Sequence, residues 1–214
     1  MIYYVIPARR GSKGLPFKNR TLIRVAVPQI PPEARPQTIV TTDDDEIRAW
    51  VSEQGIRVID RPVALASDEA SIKPVMEHAV CSVGMSNDDL VVMLFLTYPQ
   101  RAWKDIQGAL SFFHDHGTSS LACRKSPKTH PYLAYLALPN AKGCRAIAHP
   151  LYRRQDYPEC FEVSHFISIF RAGALPFLDD RLLDADSIYY PIDDVIDVDT
   201  PADLLAYQRH DHGC

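Results

Sequence analysis

The 214 residues include 23 Lys and Arg against 27 Asp and Glu, a formal net charge of −4, with 46% hydrophobic and 23% charged residues. That is long enough for one enzyme-sized core and ordinary for a globular chain, so a disordered protein is excluded, and the acidic balance argues against general nucleic-acid binding. Five cysteines without CxxC spacing suggest neither a disulfide framework nor a zinc site, no apolar run approaches the roughly 18 residues of a membrane span, and the opening MIYYVIPARR is the reverse of a signal peptide, so a cytoplasmic protein is expected.

Residues 1–7 read as a buried strand, a run of β-formers closed by Pro7, and residues 8–19 as a glycine-containing loop at its C-terminal end, where open α/β sheets place ligands. The four prolines Pro28, Pro31, Pro32 and Pro36 rule out an uninterrupted helix before the next strand, at 37–42. Asp43 and Glu46 form a capping-box pair for a helix with Ile47, Trp50 and Val51, stopped by Gly55, and a strand at 56–59 completes a βαβ unit. Ser71 and Pro74 open a helix with Val75, Ala79 and Val80 inward, ended by Gly84 and followed by a strand at 90–96. Trp103, Ile106, Leu110 and Phe113 mark the next helix, ended by Gly117. Residues 126–162 hold five of the 17 prolines and break the rhythm, an excursion from the core. Strands at 163–170 and 187–192 and a helix with Thr200 as N-cap and Pro201 at its first position finish a mainly parallel α/β layer fold.

Charge is segregated along the chain. Six basic residues and no acidic ones lie within residues 1–32, whereas residues 182–208 carry seven aspartates and no Lys or Arg. In the stretch 8–19, glycines allow backbone N–H groups to approach an anion while Arg9, Arg10, Lys13 and Lys18 neutralise it; it is not a Walker A motif, and a solvated basic loop is the competing reading. Asp197-Val198-Asp199, read as an extension of the preceding strand, puts two carboxylates on one face, enough to hold a hard divalent cation, although Asp199 also suits a helix N-terminus. Arg61-Pro62 with residues 65–71, and Arg153-Arg154-Gln155, suit a carboxylate or phosphate beside a hydroxyl, with surface charge equally open. None of the eight histidines has ligand spacing, and none is given a role.

Six segments in order, IPARRGSKGLPFKN at 6–19, TTDDDEI at 41–47, RPVALASDEAS at 61–71, LTYPQR at 96–101, RRQDYP at 153–158 and DVDTPADL at 197–204, resemble the acylneuraminate cytidylyltransferases, or CMP-sialic acid synthetases. The resemblance implies a Rossmann-like three-layer nucleotidyltransferase domain over residues 1–214, with an inserted dimerisation element at about 126–162, acting as a homodimer on CTP, Mg²⁺ and an acidic keto-deoxy sugar. Ala8, Arg9, Gly11, Ser12, Lys13, Lys18 and Asn19 would then surround the nucleotide and its phosphates, and Arg61, Ala70 and Ser71 the cytosine. Thr97, Arg101, Arg154 and Gln155 would face the sugar and Asp197 and Asp199 the metal, with Arg9, Lys13, Lys18 and Asp199 serving catalysis.

The chain also departs from the family. Phe95 stands where a sugar-binding Gln is usual, Ser164-His165-Phe166-Ile167-Ser168 replaces an Asn-Gly-Ala-Ile-Tyr segment, and residues 20–37 are too short for the family's long helix. A related transferase with another 2-keto-3-deoxy acid (legionaminic, pseudaminic or eight-carbon) or another nucleotide stays open, as do a lapsed nucleotide-binding homologue and a glycosyltransferase holding a nucleotide sugar on Asp-x-Asp.

Overall fold

A computed structural model of the protein describes residues 1–12 and 14–211. In chain order the strands are β1 (Ile2–Pro7), β2 (Thr38–Thr42), β3 (Arg57–Asp60), β4 (Leu90–Met93), β5 (Ser120–Lys125), β6 (Tyr135–Leu138), β7 (Lys142–Arg145), β8 (Glu162–Arg171) and β9 (Ile188–Pro191). The helices are α1 (Lys18–Ala26), α2 (Asp45–Glu53), α3 (Ile72–Val83), α4 (Trp103–His116) and α5 (Pro201–Asp211).

Seven strands form one sheet in the order β3-β2-β1-β4-β8-β5-β9, in which only β8 runs against the rest. Strand alternation splits the core into two layers. Tyr4, Ile6 and Val92 face Leu22, Ile23, Ile47, Val51, Ile106 and Phe113 of α1, α2 and α4, while Val5, Val91 and Met93 face Val75, Met76 and Ala79 of α3. This is the expected three-layer α/β architecture. β1 pairs with β2 on one side and β4 on the other, so the chain reverses direction at β1, and a crevice opens beyond the C-terminal ends of β1 and β4.

Several boundaries differ from the sequence expectation. The N-cap of α2 is Asp44, whose carboxylate accepts from the amides of Glu46 and Ile47, whereas Asp43 accepts from the Arg10 amide at 2.7 Å and braces the basic loop. α1 begins inside the expected loop, after Phe17 in a left-handed conformation, and gives way to 3₁₀ turns at Val27–Gln29 and Pro32–Gln37, where the prolines withhold amide donors. β4 stops at Met93, where the chain bends toward the crevice, rather than at 96. Asp197 and Asp199 lie on no strand: after Pro191 the chain leaves the sheet and crosses to β4's end, where the Val198 amide donates to the Thr97 carbonyl at 2.8 Å. Their proximity comes from this crossing and not from strand alternation.

The excursion holds a separate hairpin, β6 with β7, turning through Asn140 and Ala141 at positive φ and exposed at every strand residue. A small aromatic cluster clasps its base. His149 stacks on Tyr132 with ring centroids 4.2 Å apart, and His130 Nε2 reaches the Pro158 carbonyl at 3.0 Å. Among the described residues, no helix is long and apolar enough to cross a membrane.

Candidate active site

β1 is followed by the buried Ala8, whose amide bonds to the Thr41 carbonyl and whose carbonyl accepts from the Thr42 hydroxyl, so the basic loop leaves the sheet from a fixed point. It opens onto a cavity of about 410 Å³ at the C-terminal ends of β1 and β4. Arg9, Lys18 and Asn19 line the phosphate-suited side. Asn19 is buried and donates to the Arg9 carbonyl at 2.8 Å, tying the first turn of α1 to the loop. Arg9 pairs with Asp68 at 2.5 Å, a partner that an incoming phosphate would displace.

Arg61, Ala70 and Ser71 line a second side. Arg61 is buried and donates from one terminal nitrogen to the Thr41 carbonyl at 3.0 Å, while its Nε finds no partner among the described residues. Burial pushes the guanidinium down to about 10, with Asp43 opposing and Arg9 adding to the shift. A buried cation short of acceptors is a site that rewards an incoming acceptor.

The aspartates form the third side with Thr97. The Lys18 ammonium bonds to the Asp199 carboxylate and, at 3.3 Å, to the Val198 carbonyl, and the Tyr98 hydroxyl donates to Asp197 Oδ2 at 2.9 Å. Gly14 explains how the loop comes so close to this segment: a Cβ there would lie 2.3 Å from the Asp199 carbonyl oxygen. The set fits Mg²⁺, which is typically bound by one or two carboxylates with phosphate oxygens and water, and no larger cluster of His, Cys, Asp and Glu occurs among the described residues.

The expected residues are therefore only partly gathered. Gly11 is exposed and Ser12 half-buried, both off the cavity wall, Ala8 lies beneath it, and Lys13 falls outside the described residues. Arg101, expected toward the sugar, is buried on the other side of the β4 extension, where it donates to the Phe166 carbonyl at 2.7 Å; burial pushes it down to about 10. Arg154 and Gln155 sit in an exposed 3₁₀ turn on the excursion, outside this chain's cavity. Their sequence neighbourhood says what they resemble, and the fold of one chain does not bring them to the site.

Tyr98 and His165 also line the cavity. Tyr98 lies inside the LTYPQR segment, where attention went to Thr97 and Arg101. His165 gives no spacing signal, because what brings it to the cavity is the antiparallel β8. It meets Phe95 edge to face, with centroids 6.1 Å apart, and its Nδ1 lies 3.0 Å from the Ser168 hydroxyl. Burial first, then Arg181, hold its pKa below the ordinary value, so it is neutral at neutral pH.

No protein-family model matches the chain. Post-translational flagellin modification protein B of Campylobacter coli is 27% identical over 199 residues, covering 88% of this chain and 82% of that protein. N-acylneuraminate cytidylyltransferase of Streptococcus agalactiae serotype III (strain NEM316) is 27% identical over 163 residues, 71% of this chain but 39% of that protein, so the chain spans about two-fifths of the length of that relative. Among solved structures, CMP:2-keto-3-deoxy-manno-octonic acid synthetase complexed with CTP shares the fold with a TM-score of 0.68 at 17% identity, over 99% of this chain and 98% of that one. The 4-diphosphocytidyl-2C-methyl-D-erythritol synthase of Anaerococcus prevotii does so with a TM-score of 0.61 at 13% identity, over 97% and 96%. With six motifs in family order, relatives at 27% identity over most of its length and this shared fold, the chain is similar to the acylneuraminate cytidylyltransferases and has the fold of sugar-activating synthetases.

Proposed function

We propose that the protein couples CMP from CTP to a sialic-acid-like 2-keto-3-deoxy sugar acid and releases pyrophosphate. The observation that carries this reading is the single cavity in which Arg9, Lys18 and Asn19 meet Asp197 and Asp199 across the reversal point of the sheet. The name of the streptococcal relative supports it, as does the CTP complex of the structurally similar synthetase.

The anomeric hydroxyl of the acceptor attacks the α-phosphorus of CTP: its O–H bond breaks with the proton passing to solvent water, an O–P bond forms, and the bond from the α-phosphorus to pyrophosphate breaks. Arg9 and Lys18, with Lys13, neutralise the charge that grows on the leaving pyrophosphate, which is where such transfers gain most. Arg61, Ala70 and Ser71 receive the nucleoside. Asp197 and Asp199 would hold Mg²⁺, which would supply Lewis-acid polarisation of the phosphate and ease loss of the hydroxyl proton. Thr97 lies beside the aspartates, next to the acceptor. The excursion at about 126–162 is the dimer element, the protein works in the cytoplasm, and Arg154 and Gln155 act toward the sugar from there.

A second reading, a different 2-keto-3-deoxy acid, draws on one feature. Phe95 and His165 form an aromatic wall beside the aspartates, where a Gln would offer a donor and an acceptor. Pyrophosphate release measured with Mg²⁺ over four nucleoside triphosphates and several 2-keto-3-deoxy acids separates the two: release with CTP and a sialic acid supports the first, CTP with another acid the second, and silence throughout refutes both. In the active combination, Asp199→Ala is expected to abolish Mg²⁺-dependent turnover and Lys13→Ala to weaken CTP binding about tenfold or more. Wild-type behaviour in either variant removes the corresponding role.

A further inference from the structure

Tyr98 touches the proposed metal site yet has no task in the reaction as written. It is buried at 7% exposure, and its ring meets Phe166 edge to face with centroids 5.6 Å apart. Arg101 fixes the surroundings twice, through its amide to the Tyr98 carbonyl at 3.2 Å and through its guanidinium to the Phe166 carbonyl. The Ser164 hydroxyl donates to the Tyr98 oxygen at 3.4 Å, and the Tyr98 hydroxyl donates to Asp197 Oδ2 at 2.9 Å, so the donors run in one direction from β8 to the carboxylate.

From this geometry we infer that Tyr98 is a positioning residue for Asp197: it occupies one carboxylate oxygen and leaves the other for a small, hard cation. The backbone of the same segment is pinned separately, by the Val198 amide on Thr97, so what Tyr98 adds is the orientation of the carboxylate. A carboxylate limited to one free oxygen suits the strict octahedron of Mg²⁺. A carboxylate with both oxygens free can chelate, as Ca²⁺ accepts and Mg²⁺ seldom does. Hydrogen-bond partners behind a metal ligand commonly contribute 10–100-fold to metal affinity. The inference rests on the reading that Asp197 and Asp199 hold the cation.

Tyr98→Phe keeps the ring and removes only the donor. The test is calorimetric CTP affinity of the full chain in EDTA, in Mg²⁺ and in Ca²⁺, for wild type, Tyr98→Phe, Asp197→Asn and the double variant. The expected result is a gain from Mg²⁺ in wild type that falls on the order of tenfold in Tyr98→Phe, with Ca²⁺-supported affinity kept, so the Mg²⁺ to Ca²⁺ ratio drops. In the Asp197→Asn background the second substitution should add nothing. Ser164→Ala, which leaves the ring contacts intact, should move the ratio the same way by a smaller factor, and it carries the test if Tyr98→Phe fails to fold. A Mg²⁺ gain in wild type that both variants keep, with an unchanged ratio, overturns the inference alone. No metal dependence in wild type overturns the metal-site reading and the inference with it.

Discussion

Three consecutive aspartates show how finely residue roles divide. In TTDDDEI, Asp43 braces the basic loop through the Arg10 amide, Asp44 caps α2 and bonds to Arg20 at 2.8 Å, and Asp45 pairs with Arg48 on the exposed face. The sequence shows that a cap is present but not which aspartate supplies it, because the choice depends on where the chain leaves β2. Burial alone would raise the Asp44 carboxyl, yet the hydrogen bond from Arg20 and the amides of Ile47 and Glu46 outweigh it, and the group stays below its ordinary value. A carboxyl lowered by folding stabilises the protein above its unfolded pKa of 3.8 and loses that contribution as pH falls through the folded value. Asp44→Ala should therefore cost about 2 kcal/mol at neutral pH, and the gap in thermal midpoint from wild type should hold to about pH 5 and narrow below about pH 4. Gly14 is tested at the same scale. A methyl group there must displace the Asp199 backbone, and misplacement of this kind costs on the order of 100-fold in rate, so Gly14→Ala should lower kcat in steady-state assays without unfolding the protein.

Among the elements, those with a strong period were legible. The helices marked by Val75 and Ala79, and by Ile106 and Phe113, lie where their spacing put them, and each ends at a glycine with positive φ. The element carrying the aspartates was misread because Asp-x-Asp after an apolar alternation looks like strand, whereas its backbone partner is Thr97, about a hundred residues away in sequence. The hairpin of β6 and β7 was missed because Asn140-Ala141 lacks the glycine that usually announces such a turn. Leu136 and Leu138 on that hairpin are 57% and 45% exposed. Both are largely exposed among the described residues, so replacing them with Asp should leave the fold intact. If the excursion is the dimer element, light scattering should then show the mass falling from twice 24.1 kDa to 24.1 kDa; an unchanged mass would place the interface elsewhere.

Across the whole molecule, the segregation of charge already foretold a two-sided site, with basic residues early and aspartates late. Composition could not show the order of the sheet, in which β8 enters antiparallel between β4 and β5 and carries His165 to the wall. Nor could it show that Arg101 would be spent on holding β8 through Phe166. Motif order brought Arg9, Lys18 and Asn19 to one cavity wall because those residues follow β1 directly. It did not bring Arg101, Arg154 and Gln155 to that cavity, because Arg101 turns to β8 and the other two sit on the excursion.

The contact between Lys18 and Asp199 closes a loop of 181 residues, nearly the whole chain. Closing such a loop costs about 2 kcal/mol more in chain entropy than closing one of about 20 residues. The two halves of the site thus come from opposite ends of the chain and meet across one seam. On the proposed function, a triphosphate and its cation would touch both ends at once and staple that seam.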